Sequence, residues 1–136
     1  MKRKNFDLGF SAPFLSQQDA EPIICALDLV VNIPADTPEQ ERLNRFNCNV
    51  AVQKLRSGNL VFTLNEWRVI GVGIAIAMDL LSGVGSYDIS FDELEPEWRD
   101  ELRRNFLVYN RLRPHLTDLL QTIEYAFAES QDPNSD

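Results

Sequence analysis

The chain has 136 residues, of which 44% are hydrophobic and 25% are charged, and its formal net charge is −8. This composition is typical of a globular domain and too apolar for a disordered chain, so we expect a single domain over residues 1–136. The negative charge disfavours binding to nucleic acid or to an anionic membrane surface. The longest uncharged apolar run, residues 69–78, is about half the length that spans a bilayer. We therefore expect a soluble, cytoplasmic protein without nucleic-acid or membrane partners.

The two cysteines, Cys25 and Cys48, both lie in apolar surroundings. Two cysteines are too few for a disulfide framework. A free cysteine usually behaves as a small buried hydrophobic residue. The sequence therefore predicts two buried free thiols, as in a reducing cytoplasm.

The two ends of the chain differ in composition. From about residue 129 onward the chain is polar, and we expect this tail to fray from the domain. Near the N-terminus, residues 6–14 contain three phenylalanines. Their apolar side chains would dock on a core, and the sequence leaves open whether that core belongs to the same subunit or to another one.

The first long apolar segment, residues 22–33, begins at Pro22 and is followed by Pro34. Pro22 suits the first position of a helix, where the acidic residues Asp19 and Glu21 would lie near the positive end of the helix dipole. The β-branched residues of the segment would suit a buried strand equally well. Because no other segment offers a strand partner, the sequence favours a helix and keeps a strand as the alternative.

Three helix-start signals of the type Ser/Thr-x-x-Glu/Gln begin at Thr37, Thr63 and Ser90. The first predicts a helix that ends at residues 57–58, where Gly58 can take a left-handed conformation. Its expected apolar stripe consists of Leu43, Phe46 or Cys48, Val50, Val52 and Leu55. The second signal predicts a helix over residues 64–81. The third predicts only a single turn, after a flexible loop at residues 83–87.

The predicted 64–81 helix is apolar on nearly every face from Val69 onward, which is typical of a buried helix. It also carries two pairs of small residues at a spacing of four, Gly71 with Ala75 and Gly73 with Ala77. Each glycine inside a helix costs about 1 kcal/mol relative to alanine. This cost indicates close packing at these positions, either within the core or across a dimer interface.

Two further helices are predicted after Pro96. The first covers residues 96–112, with an apolar stripe of Trp98, Leu102, Phe106, Tyr109 and Leu112. Pro114 should break or kink the pattern, because it lacks an N–H donor and crowds the preceding turn. A final helix is then expected over residues 115–128. The fold class is thus all-α, a bundle of about five helices around the buried 64–81 helix.

No motif in the chain predicts catalysis, a cofactor or a metal. The glycines in residues 69–76 resemble a dinucleotide-binding turn, but Ile76 takes the place of its small third residue. Residues 82–93 resemble an EF-hand loop that lacks the carboxylates of its first half. His115 is the only histidine, so no histidine pair or histidine-based zinc site can form. We expect His115 to be a surface or capping residue.

A group of arginines follows the acidic run at residues 88–97, and it includes Arg103, Arg104, Arg111 and Arg113. Acidic residues at the start of a helix and basic residues toward its end are favoured by the helix dipole, so a solvated amphipathic helix is the simpler interpretation. The alternative is a site for phosphate or carboxylate groups, which arginine binds in a fork geometry.

Two functional hypotheses follow. The first is a protein-protein interaction or oligomerisation module with a regulatory role, forming a homodimer or binding another protein, because the helices carry more apolar residues than a small bundle readily buries. The second is a regulator that binds an anion or metabolite through the four arginines. An enzyme is the weakest of the possibilities, since no nucleophile, base or metal set can be named.

Overall fold

Within the described residues, 9–83 and 90–130, the computed structural model of the protein contains five α-helices that pack against one another. The helices are α1 (Ala20–Asn32), α2 (Pro38–Ser57), α3 (Leu64–Leu81), α4 (Pro96–Arg104) and α5 (Phe106–Ser130). Two short strands, β1 (Gly9–Phe10) and β2 (Phe62–Thr63), pair antiparallel. Short 3-10 turns cover Gln17–Asp19 and Phe91–Glu93. The predicted all-α fold is confirmed, and in the described ranges no helix is long and apolar enough to cross a membrane.

Two predictions fall largely outside the described residues. The loop expected at residues 83–87 is described only at Gly83, and the frayed tail expected from 129 is described only to the end of α5 at Ser130. The described part of the N-terminal segment docks on its own chain. There the indole nitrogen of Trp67 donates to the carbonyl oxygen of Phe10 at 3.0 Å, and the rings of Phe14 and Trp67 lie 6.4 Å apart.

The segment that suited either a helix or a strand is helix α1. It starts two residues before Pro22, which therefore lies in the first turn, where its missing N–H leaves no helical hydrogen bond unmade. Most of its side chains are buried, among them Ile23 and Ala26, because α1 packs against both α2 and α3. Burial of this extent outweighs the weak preference of β-branched residues for strands.

Helix α2 begins and ends as predicted. Its first turn is capped by Thr37, whose hydroxyl accepts a hydrogen bond from the backbone N–H of Gln40 at 3.0 Å. It ends at Gly58, which has a φ of +80°. This positive φ favours glycine because it has no Cβ atom.

The predicted apolar stripe of α2 was partly wrong. Leu43 and Phe46 are 49% and 64% exposed, whereas the buried side chains of the helix are Cys48, Ala51 and Leu55. The exposed pair and the three buried residues have similar helical spacing, but their side chains point in different directions from the helix axis. The core face is the one that meets α1 and α3, and hydrophobicity alone does not distinguish it from the other.

The end of α2 is joined to the start of α3 by a polar cluster. The second start signal forms a complete capping box, in which the hydroxyl of Thr63 accepts from the N–H of Glu66 and the carboxylate of Glu66 accepts from the N–H of Thr63. The ammonium group of Lys54 donates to the same carboxylate at 2.6 Å and to the carbonyl of Val61 at 3.0 Å. Glu66 is thereby buried with its charge compensated.

Helix α3 contacts each of the other four helices, so its predicted central position is confirmed. Trp67, Ile70 and Ile74 are fully buried. The expectation that the helix is buried on all sides was too strong, however. Val72 on the opposite face is 49% exposed, because no other described element covers that face completely.

The break between the last two helices lies at Asn105, and the prediction of a break at Pro114 was wrong. Asn105 ends α4 in a non-helical conformation, and its carbonyl accepts from the N–H of Tyr109 as α5 begins. Pro114 lies inside α5, where an interior proline costs about 3 kcal/mol. Leu112 and Leu116 are buried on either side of it, and their packing holds the helix together through the missing hydrogen bond.

Candidate functional site

An open groove of about 410 Å³ runs between α3 and α5. Its lining combines small or apolar residues with charged ones near the ends, and consists of Arg68, Gly71, Val72, Ala75, Arg113, Leu116, Thr117, Leu120 and Glu124. The groove lies over a face of α3 that the described elements leave open. It is therefore a place where the central helix can be reached from outside.

Small residues on α3 create this groove. If Gly71 carried a Cβ atom, that atom would lie 3.0 Å from the Cδ1 atom of Leu120 on α5. Ala75, one turn further along, adds only a methyl group. Without larger side chains here, α5 approaches α3 closely and a depression remains on the solvent side.

The second pair of small residues, Gly73 and Ala77, has a different environment. A Cβ atom on Gly73 would lie 2.6 Å from the carbonyl oxygen of Ala26 on α1, and Ala77 is fully buried. Gly73 therefore belongs to the contact between α1 and α3, and Ala77 lies one turn further along the same helix. Gly71 and Ala75, by contrast, line the groove. Close helix packing or an interface at the four small residues stays a prediction.

Two ion pairs join α3 and α5 at the ends of the groove. The Nε atom of Arg68 lies 3.1 Å from Oε1 of Glu124, and Nη2 of Arg113 lies 3.7 Å from Oδ1 of Asp79. The order of these pairs shows that α3 and α5 run antiparallel. Positive and negative charges therefore alternate around the mouth of the groove, with an arginine and a carboxylate at each end.

The four arginines of the predicted anion site have different neighbours. Besides Arg113, Arg111 forms an ion pair with the buried carboxylate of Asp19. Arg103 lies 3.9 Å from Asp100 and 4.9 Å from the ring centroid of Phe91. The remaining member, Arg104, lines a separate surface depression with the acidic residues Glu97, Asp100 and Glu101.

Three of these arginines thus already have a carboxylate within ion-pair distance, and Arg104, Arg111 and Arg113 line three different depressions. Anion binding by the four together stays a prediction. His115 is exposed, as expected of a surface residue, but it lies inside α5 rather than at a helix start. Its ring stacks on that of Phe14, with 5.1 Å between the centroids.

The buried thiols are poor nucleophiles. Burial raises the pKa of Cys25 to about 12 and the pKa of Cys48 to about 11. The Sγ atom of Cys25 donates to Oε2 of Glu101 at 3.5 Å, and the nearby hydroxyl of Tyr109 donates to the carbonyl of Pro22 at 2.7 Å. A reactive cysteine needs a lowered pKa, so this cluster favours a structural role. In the part of the chain that the structure describes, no group of three or more His, Cys, Asp or Glu residues is placed to hold a metal ion.

The groove itself was missed at the sequence level, although its residues follow a detectable pattern. Arg68, Val72, Ala75 and Asp79 recur at intervals of four, three and four residues, which places them on one helical face. The residues Arg113, Thr117, Leu120 and Glu124 repeat the same intervals on the other wall. The pattern identifies each face, but only the packing of α5 on α3 joins the two faces.

Comparison with known proteins finds no family model that matches the chain, and no curated protein or solved structure with a significant match. What the chain does must therefore be inferred from its own geometry.

Proposed function

We propose that the protein is an interaction module and that the groove between α3 and α5 is its protein-binding surface. The observation that carries the proposal is the open face of the central helix. Val72 is 49% exposed on a helix whose other large apolar side chains are mostly buried. A partner that covers Val72 and the small residues beside it would remove apolar surface from water, at about 25 cal/mol per Å².

The layout of the groove resembles that of a protein interface. Its middle is lined by small and apolar residues, and charged residues lie at its two ends. Specific interfaces combine an apolar centre with a polar rim in the same way. From Arg68 to Asp79 the open face spans three turns of α3, about 16 Å, which matches the contact length of a short helix.

A protein partner fits this groove better than a small molecule does. Ligand pockets carry a few polar groups that converge on the bound molecule. Here the charged groups lie in two pairs at the ends of the groove, Arg68 with Glu124 and Arg113 with Asp79, and do not converge on its middle. The only other polar side chain in the lining, Thr117, donates its hydroxyl to the backbone carbonyl of Arg113 at 3.0 Å.

A cytoplasmic setting is part of the proposal. Its support is that Cys25 and Cys48 are both buried free thiols. Unpaired cysteines are the usual state in a reducing compartment.

Site-specific photo-cross-linking in the native host tests the binding surface. A photoreactive amino acid at position 72 should give covalent adducts with protein, because it would lie inside the interface. Position 43 is the matched control, since Leu43 and Val72 are both 49% exposed apolar residues on helices. Absence of protein adducts from position 72, or equal adducts from both positions, would contradict the proposal.

A further inference from the structure

The two walls of the groove carry the same charge pattern. On α3 the open face reads arginine, two small or apolar residues and aspartate, at Arg68, Val72, Ala75 and Asp79. On α5 it reads arginine, two uncharged residues and glutamate, at Arg113, Thr117, Leu120 and Glu124. Each wall therefore has its positive charge nearer the N-terminus and its negative charge three turns later, about 16 Å away.

This pattern is complementary to itself when two such faces meet antiparallel. If α3 of a second copy covers α3 antiparallel, Arg68 meets the second copy's Asp79, and Arg113 on the other wall meets the second copy's Glu124. In the alternative arrangement, α3 of each copy covers α5 of the other copy antiparallel. Arg68 then meets the second copy's Glu124 instead. Crossing the two grooves at right angles would bring arginine onto arginine. Complementary charges of this kind select partner and register.

The apolar residues lie where such a contact needs them. Gly71 and Ala75 are centred between Arg68 and Asp79 along α3, so a two-fold axis through the middle of the groove passes close to them. A two-fold interface uses the same patch on both subunits. Small side chains near the axis let the helices of the two copies approach closely, because interaxial distance depends on the side chains at the contact.

We propose that the partner in the groove is a second copy of this chain, packed groove against groove with the covering helices antiparallel. This inference depends on the proposed function, since it names the occupant of the same surface. The charges at the ends of the groove fix the alignment, and the apolar residues between them supply the buried surface.

Two charge-reversed variants test the pairing. The acidic variant carries Arg68→Glu and Arg113→Glu, and the basic variant carries Asp79→Lys and Glu124→Lys. Each variant alone would place like charges against each other in a homodimer, so its self-association should fall at least about tenfold relative to the natural chain. Mixed in equal amounts, the two variants should form a heterodimer, because every facing charge is then opposite. Native mass spectrometry distinguishes the species by mass.

The folded state should survive both sets of changes, because surface ion pairs contribute little to stability. Arg68, Arg113 and Glu124 are about half exposed, and Asp79 is partly exposed. Circular dichroism checks this directly. A matched control for the acidic variant is the double change Arg42→Glu and Arg45→Glu on the exposed part of α2. It changes the net charge of the chain by the same amount and should leave the dimer intact.

Three results would overturn the inference: a natural chain that stays monomeric at high concentration, reversed variants that self-associate like the natural chain, or a mixture without heterodimer. Failure of the inference and failure of the proposed function are distinguishable. Adducts from position 72 to a different protein, with a monomeric natural chain, would retain the binding surface and reject the second copy as its occupant.

Discussion

Two pairs of small residues on the same helix have opposite roles in this protein. Gly73 packs against α1, where a carbonyl oxygen occupies the space that a side chain on Gly73 would need, and Ala77 is fully buried. Gly71 and Ala75 face the groove, where the nearest atom to a Cβ on Gly71 is the end of a leucine side chain. Equal spacing and identical composition therefore do not define a role. The element that covers each pair defines it.

The largest effect is expected from Gly73→Ala. The added Cβ would lie 2.6 Å from the carbonyl oxygen of Ala26, so helix α1 has to move. Overpacking of this kind costs about 1–3 kcal/mol, which should exceed the gain in helix propensity. Urea unfolding should show a lower midpoint than that of the natural chain. An unchanged midpoint would mean that α1 does not pack on Gly73 as described.

High pH should destabilise the folded chain without any substitution. Burial raises the pKa of Cys25 from 9.0 to about 12 and that of Cys48 from 9.0 to about 11. The unfolded chain loses these protons from about pH 9 upward while the folded chain keeps them, so stability is fully present below pH 9 and falls as the pH rises. Burial raises the pKa of Tyr109 as well, so this hydroxyl also makes stability fall as the pH rises.

The expected loss is on the order of 1 kcal/mol per titrating group for each pH unit. Urea unfolding between pH 8 and pH 11 measures it. A Cys25→Ala, Cys48→Ala double variant is the control, and its stability should fall less steeply with pH. Equal slopes for the two proteins would show that the thiols are not the groups responsible.

The smallest effect on stability is expected from Gly71→Ala, a glycine-to-alanine substitution in the other pair of small residues. Its Cβ would meet only Cδ1 of Leu120 at 3.0 Å, and that flexible side chain can turn aside. Replacing glycine by alanine inside a helix gains up to about 1 kcal/mol. The unfolding midpoint should therefore stay the same or rise. A loss of stability as large as that of Gly73→Ala would remove the distinction between the two pairs of small residues.

The helix positions could be predicted from the sequence wherever a local signal set them. The capping box at Thr63 and Glu66 and the left-handed Gly58 define the start of α3 and the end of α2 through interactions within a few residues. The break before α5 could not be predicted in this way. Pro114 is a strong local signal, and it is outweighed by the burial of Leu112 and Leu116 on either side.

The groove shows the same limit of prediction from local sequence signals. Gly71 and Ala75 were identified from their spacing, but the alternatives of core packing and interface both remained, because spacing does not say which helix lies nearby. The arginine cluster was suggested by sequence proximity over residues 103–113. In the structure Arg111 and Arg113 pair with Asp19 and Asp79, each distant from its partner in the sequence. Such pairings depend on tertiary packing, so the local sequence around each arginine does not indicate them.

Sedimentation velocity on the natural chain and on the variants Val72→Asp and Leu43→Asp tests whether two copies of the chain associate through the groove. Each substitution places one carboxylate at a site that is 49% exposed, so neither should unfold the chain. The natural chain and Leu43→Asp should sediment as dimers, and Val72→Asp should sediment as a monomer whose circular dichroism spectrum shows the same helix content as the natural chain. A Val72→Asp variant that associates like the natural chain would contradict the assignment of the groove as the interface.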